Sequence, residues 1–341
     1  MSGPVDRRTF LALGATIAGV ARTEVRAYEA VRSGDSMAYV GPNFSSGAQY
    51  AGPNAQYVGP NFSSGDLTLC FFSKHLPSMN WHRLGQAVKG AGFGGVDLTV
   101  RPKGHVAPAR VAADLPPAYE AIRAHGLSVP MITTALVSAD DPAARPTFET
   151  AARLGIRLVK TGYYSYAYQD VRAELATVVR QFAGLAALAA SCGVTLGFHN
   201  HTGNVGASGW DAAAIVDPVA ARAAGYYFDV AHAVVEGGVG GWRAFTSLAA
   251  GRLTMVAVKD FVWEKTDRGW RPRWVPLGDG VVDWRRHLAD LAAARFAGPI
   301  SLHLEYLDTA KDTSAAERHA LEAATRDLAF LRAGLEHAYG R

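Results

Sequence analysis

The chain has 341 residues, of which 49% are hydrophobic, 19% charged and 10% aromatic, a composition that builds a full core and excludes disordered and fibrous classes. Lys and Arg number 34 against 30 Asp and Glu, and the basic residues are dispersed, so the formal charge of +4 marks no nucleic-acid surface. The longest apolar run near the N-terminus, Phe10 to Ala21, falls short of the roughly 20 residues of a bilayer span, and no membrane span is expected.

Residues 1–27 read Asp6-Arg7-Arg8-Thr9-Phe10-Leu11, then an Ala/Gly-rich apolar stretch, then Val25-Arg26-Ala27 with the small-residue spacing of a cleavage site. Paired arginines ahead of a mildly hydrophobic segment resemble a twin-arginine export signal, which implies a periplasmic protein, and such pathways often carry folded proteins with a cofactor already inserted. A short amphipathic helix is the alternative. Removing residues 1–27 takes away four Arg together with Asp6 and Glu24, which lowers the formal charge from +4 to +2. Residues 28–65 turn rich in Gly, Pro, Asn, Ser and Tyr, and Tyr39 to Gly47 recurs as Tyr57 to Gly65, with a partial copy at Tyr50 to Asn54. Pro and Gly at this density prevent helix and central strand, so the segment reads as a linker, with an aromatic arm covering a ligand or neighbour as the second reading. Cys70 and Cys192, the only two cysteines, support neither a disulfide framework nor a thiolate zinc site.

From residue 66 to 341, short runs rich in Val, Ile, Leu and Phe alternate with stretches of helical period. The predicted strands are Leu67 to Phe72, Val96 to Val100, Leu127 to Thr133, Ile156 to Thr161, Val194 to Phe198, Gly225 to Phe228, Leu253 to Val258 and Pro299 to Leu304. Helices are predicted between them, among them Trp81 to Ala91, Val171 to Ser191 and Trp284 to Ala294, with a closing helix over Ser314 to Tyr339. Eight such units predict an α/β fold, a single-domain (β/α)8 TIM barrel. The competing open sheet lacks its phosphate fingerprint, since Phe72-Ser-Lys-His-Leu-Pro carries no glycine after the first strand. In a barrel the C-terminal strand ends carry the chemistry.

Those ends hold His199-Asn200-His201 after strand five, Asp229-Val-Ala-His232 after strand six, Lys259-Asp260 after strand seven and His303-Leu-Glu305 after strand eight. Imidazole and carboxylate are ligand types for Mn, Zn, Fe or Co, and ligands from several strands converge at one mouth. For one histidine a backbone hydrogen bond at a wet rim is the simpler account; for this cluster beside Asp229 and Glu305 a functional site is favoured. Residues two apart share a strand face, so an inward Glu305 places His303 one layer lower, as a partner that orients the carboxylate or as a satisfied core residue. An inward Lys259 lies above Ala257.

His-Asn-His-Thr-Gly203, Phe228-Asp-Val-Ala-His, Val258-Lys-Asp-Phe, Val275-Pro-Leu-Gly-Asp-Gly-Val-Val-Asp-Trp284 and Ile300-Ser-Leu-His-Leu-Glu305 together resemble the xylose-isomerase-like sugar phosphate isomerase/epimerase superfamily, in a branch with a twin-arginine signal. The resemblance covers nearly all of residues 66–310. It implies a divalent metal, Mn, Zn, Mg or Co, held by Glu, Asp, His and Glu from strands five to eight, with the two glutamates shuttling a proton. By position the Asp is Asp229 and the last Glu is Glu305, whereas His199 replaces the first Glu and Ala257 the His. His201 completes a candidate metal set with His199, Asp229 and Glu305 on chemical grounds alone.

The reaction implied is proton abstraction next to a carbonyl of a sugar or glycoside, with the enediolate stabilised by the ion. Glu305 is the candidate base or ligand, His232 a hydroxyl donor or acid/base group, and Lys259 either an oxyanion partner or a salt-bridge partner of Asp229 or Glu305. A single base suits a lyase or hydratase acting on 3-keto sugars or glycosides equally well, and a sugar-binding barrel without turnover is the third reading. Endonucleases of the superfamily need more ligands and a basic surface, so nucleic acid is not an expected partner. Tyr163, Tyr164, Tyr166, Trp210, Phe261 and Trp263 flank the mouth, either to stack on sugar faces or to cover it. Ser208 reads as a helix N-cap ahead of Asp211. Glu264 to Trp274 reads as a hairpin around Gly269, and Asp279 as a turn residue near the rim.

Overall fold

The computed structural model describes residues 67–307 and 314–340; the expected signal and linker lie outside the described residues. The eight predicted barrel strands all form: β1 (Leu69–Phe72), β2 (Gly95–Val100), β3 (Ser128–Thr134), β4 (Leu158–Lys160), β5 (Thr195–His199), β6 (Ala224–Asp229), β7 (Leu253–Val258) and, after a hairpin of β8 (Asp260–Thr266) and β9 (Gly269–Val275), β10 (Ile300–Leu302). They close a parallel barrel in the order β1-β10-β7-β6-β5-β4-β3-β2. Helices alternate with them: α1 (Trp81–Gly90), α2 (Val111–Arg123), α3 (Ala144–Arg153), α4 (Val171–Ser191), α5 (Gly209–Val216), α6 (Val230–Ala249), α7 (Trp284–Ala293) and α8 (Ser314–Tyr339). β10 ends two residues before its predicted limit, so His303 and Glu305 stand on the loop just beyond the strand.

The helices start where side chains satisfy their free N–H groups: Asn80, Asp170, Ser208, Asp229 and Asp283 each accept a first-turn backbone N–H. Ser208 thus takes its predicted place. α4 is long and apolar enough to meet the length and composition of a membrane span, yet in the barrel it buries Val178, Phe182, Leu185, Ala186 and Ala189, each larger side chain contributing roughly 1.5–3 kcal/mol. The hairpin expected around Gly269 forms with Asp260 paired to Val275, and Gly269 supplies the positive φ of 89° that its turn demands.

Strand alternation divides the core in two. Val96, Leu98, Val159, Leu196 and Val256 point outward to the helices, while Met131, Leu158, Tyr227, Met255 and Ala257 form a separate cluster inside the barrel. Gly197 leaves room there, because a Cβ at this position would meet the end of Met255. The next inward residue along β4, β6 and β7 is therefore Lys160, Asp229 and Lys259, each on the axis at the open end. Cys70 and Cys192 are both free.

Candidate active site

Asp229 ends β6 and begins α6. Its Oδ1 accepts the backbone N–H of His232 at 3.0 Å, so the cap that starts the helix also sets a carboxylate and an imidazole over one spot. Asn200 clamps this corner, its Oδ1 accepting the Asp229 N–H at 2.8 Å and its Nδ2 donating to the Asp229 carbonyl at 2.9 Å. The other carboxylate oxygen, Oδ2, takes Lys259 Nζ at 3.0 Å and faces His199 Nε2 at 3.3 Å. Lys259 Nζ also donates to His232 Nε2 at 2.6 Å and lies 4.8 Å from the ring centre of Trp274, which the hairpin brings over the mouth.

Burial alone would raise the Asp229 pKa, but the charge and hydrogen bond of Lys259 together with His232 and its backbone N–H outweigh it and hold the carboxyl below its usual range. Burial pushes His199 and His232 well below the ordinary imidazole value, followed by the charges of Lys160 on the first and Lys259 on the second. Both rings are therefore neutral and carry a lone pair. His199, Asp229 and His232 form the one group of three among the described residues whose ligand atoms all lie within 4.8 Å of one another. Two imidazoles and a carboxylate suit Zn, Mn or Co in chemical type. The Lys259 ammonium stands against two of those three donors, so an ion and this rotamer exclude each other.

Glu305 lies just beyond β10, two strands round the barrel from β6. Lys74, from the turn after β1, donates to both of its oxygens at 2.7 Å, and the carboxylate keeps 22% of its side-chain surface exposed. Lys259 and Lys74 together outweigh burial and hold its pKa below the usual carboxylate range. His303 sits beneath as the alternation predicts: its Nδ1 is 3.8 Å from Glu305 Oε1, its Nε2 is 3.2 Å from Tyr227 Oη, and its ring stacks on Phe72 at 4.4 Å. His201, expected as a ligand, directs Nδ1 to the Thr202 carbonyl at 3.0 Å, and its ring lies 3.9 Å from that of His232. Both His201 and Glu305 thus stand outside the three-residue group, and His232, expected as an acid/base residue, stands within it.

Deeper in the barrel Asp97 accepts from Thr133 Oγ1 at 2.7 Å and Ser301 Oγ at 2.8 Å, with Tyr227 Oη at 3.3 Å. Burial pushes its pKa up to about 6 against these hydrogen bonds. Of the expected aromatics only Tyr163 reaches this center: its Oη is 3.1 Å from His199 Nδ1, and its ring covers Lys160 Nζ at 3.4 Å. Tyr164 bonds the Val137 carbonyl, Tyr166 bonds Asp211, Phe261 is buried, and Trp210 and Trp263 are exposed. Asp279 takes its expected place in the turn, with a backbone bond to Pro276. Lys74, Asp97, Lys160, Asn200 and Trp274 were not singled out as site residues. The alternation places Asp97 and Lys160 inward once strand bounds are known, whereas nothing in the sequence brings Lys74 to Glu305.

The profile of the family described as Xylose isomerase-like TIM barrel matches residues 86–333. Among solved structures, the IOLI protein with a bound zinc atom superposes at a TM-score of 0.63 and 17% identity, over 81% of this chain and 100% of that one. An L-ribulose 3-epimerase gives 0.59 at 19% identity, over 80% and 95% of the two chains. A D-psicose 3-epimerase from Clostridium cellulolyticum H10 with D-tagatose gives 0.59 at 12% identity, over 79% and 99%. At such identities the likeness speaks for the fold. No curated protein matches the sequence.

Proposed function

The chain belongs to the xylose isomerase-like TIM barrel family, and from that premise we propose that it is a sugar isomerase or epimerase-type enzyme that removes a proton next to the carbonyl of a sugar or sugar derivative. The observation that carries the reading is the buried Asp229 carboxylate, held at the mouth between His199, His232 and Lys259, with a part-buried carboxylate base, Glu305, beyond β10 of the same barrel end. L-ribulose and D-psicose 3-epimerases among its structural neighbours support it. His199, Asp229 and His232 would hold a divalent ion once Lys259 turns aside, and such an ion supplies Lewis-acid polarisation of the carbonyl. The zinc of the IOLI protein supports this assignment.

In this reading Glu305 Oε1 or Oε2 takes the proton. Lys74 keeps the carboxylate ionised and aimed, and His303 supports it from below. Lys259, released from Asp229, offers its charge to the developing oxyanion. Elemental analysis of the folded protein and deuterium uptake by ketoses test the proposal. Stoichiometric Zn, Mn or Co lost in Asp229→Ala, with exchange lost in Glu305→Gln, is the expected result. No bound ion after incubation with all three, together with no exchange, overturns it in favour of a sugar-binding barrel.

One observation favours elimination as the second reading. Asp97 and Asp229 are both fully buried, which leaves the part-buried Glu305 as the accessible carboxylate among the three. A single base suits β-elimination from a 3-keto glycoside, where the proton leaves the carbon beside the carbonyl and the leaving group departs from the next carbon. Release of the aglycone with an unsaturated ketone, in place of an epimer, distinguishes it. The pair Arg7-Arg8 supports a periplasmic place of action, which cell fractionation tests.

A further inference from the structure

Two cations at the mouth have no carboxylate. Lys160 is 2% exposed, and its Nζ makes no ion pair or hydrogen bond among the described residues; it sits over the face of Tyr163 and feels the charge of Asp97 without contacting it. Arg101, two residues beyond Thr99 on the inward side of β2, likewise meets only the Phe72 ring, 5.7 Å away. The two belong to one wall, because Thr99 is in register with Thr133 on β3 and Thr133 with Lys160 on β4. Burial first, and then the charge of Arg101, drives the Lys160 amine well below its usual pKa against the pull of Asp97. Lys74 and Lys259, by contrast, are each matched by Glu305 and Asp229. Asp97 lies deeper and is already held by Thr133, Ser301 and Tyr227.

Keeping this buried amine charged needs an anion beside it, a need that the face of Tyr163 meets only in part. The Tyr163 ring, 39% exposed, presents the partial negative charge of its face where an anion would sit. Resting on the sugar reading above, we propose that Lys160 and Arg101 form an anion subsite on the β2–β4 wall that receives the carboxylate of an acidic sugar, with Tyr163 as the cover the ligand displaces. The carbonyl end of the sugar then reaches toward Asp229 and Glu305 across the mouth. A carboxylate suits the site better than a phosphate ester, because the backbone N–H groups after β4 are already engaged: Thr161 donates to the Gly197 carbonyl and Gly162 to that of Leu136. No backbone cradle remains there for three phosphoryl oxygens.

Calorimetric titration of the full chain with D-galacturonate, D-galactose and D-galactose 6-phosphate tests the subsite without requiring turnover. Galacturonate is expected to bind at least tenfold more tightly than galactose, and Lys160→Met to bring the two to the same affinity. Lys160→Met removes an unpaired buried charge, so the variant keeps its fold; Arg101→Gln, on a half-exposed side chain, is the second variant and should weaken galacturonate several-fold. Equal affinities for galacturonate and galactose, or galacturonate binding unchanged in both variants, overturn the proposal. Tighter binding of the phosphate than of the uronate, lost in Lys160→Met, overturns the assignment to a carboxylate. Deuterium exchange into neutral ketoses with no preference for uronates would leave the isomerase reading intact while removing the subsite, and uronate binding without any exchange would do the reverse.

Discussion

Lys259 Nζ lies 3.0 Å from Asp229 Oδ2 and 2.6 Å from His232 Nε2, so one ammonium holds two of the three donors that a divalent ion would share. The same side chain therefore neutralises the buried carboxylate and would compete with any divalent ion bound there. This places a lysine rotamer at the centre of both metal affinity and stability.

Lys259→Met separates the two roles. Without added ion the variant is expected to lose about 3 kcal/mol, because Asp229 is left as an unpaired buried charge. Zn or Mn should restore that loss and bind at least about tenfold more tightly than to the unsubstituted chain, a change of about 1.4 kcal/mol. Thermal unfolding with and without each ion reads both effects. An ion affinity that falls in the variant would show that Lys259 supports the site instead of competing for it.

Glu305→Gln keeps the shape of the part-buried carboxylate and removes its basicity. Proton exchange is expected to fall by roughly 10²–10⁴, with the KM for the sugar changed far less, since the side chain acts on the proton. Steady-state kinetics split the two parameters. An equal change in both would assign Glu305 to binding.

His287 is buried on α7 with neither ring nitrogen hydrogen-bonded among the described residues, and burial lowers its pKa to about 4. Its folded value lies below the unfolded one of about 6.5, so its contribution is fully present above pH 6.5 and is lost as pH falls toward 4. That loss amounts to about 3 kcal/mol over the window. His287→Leu removes both unmade hydrogen bonds and the proton uptake, and is expected to raise stability by roughly 1–2 kcal/mol at pH 7 and by more at pH 5. Denaturant midpoints at the two pH values check the sign; a variant less stable at pH 5 than the parent defeats the argument.

Asp260 accepts N–H bonds from Phe261, Gly278, Gly280 and Val282 at 2.8–3.2 Å and from Trp284 Nε1 at 2.7 Å. One carboxylate thus fixes the base of the hairpin and the turn that follows it, and with them the hairpin's Trp274 beside Lys259. Asp260→Ala leaves five donors short of a partner and is expected to cost about 3 kcal/mol or more. Hydrogen exchange should speed up at Gly278, Gly280 and Val282 while β4 and β5 stay protected. Uniform loss of protection would mean that Asp260 holds the whole barrel.

Strand and helix periods are local, and so the (β/α)8 order, α4 and α8 to the residue, the hairpin around Gly269 and the Ser208 cap were legible in the sequence. The presence of His199, Asp229, Lys259 and Glu305 at strand ends was legible for the same reason, because side-chain direction follows from a period of two. Their partners were not. Whether Lys259 pairs with Asp229 or Glu305 depends on the stagger of the closed barrel, which lies in no single strand, and the answer left Glu305 to Lys74 from the far side of the β1–β10 seam. His232 rather than His201 joins Asp229 because a helix N-cap fixes its backbone at 3.0 Å, while the His201 ring turns to its neighbour's carbonyl. Lys160 shows the limit most plainly. Its inward direction follows from the strand, but its lack of a carboxylate is a property of every wall around it, and only the folded barrel brings those walls together.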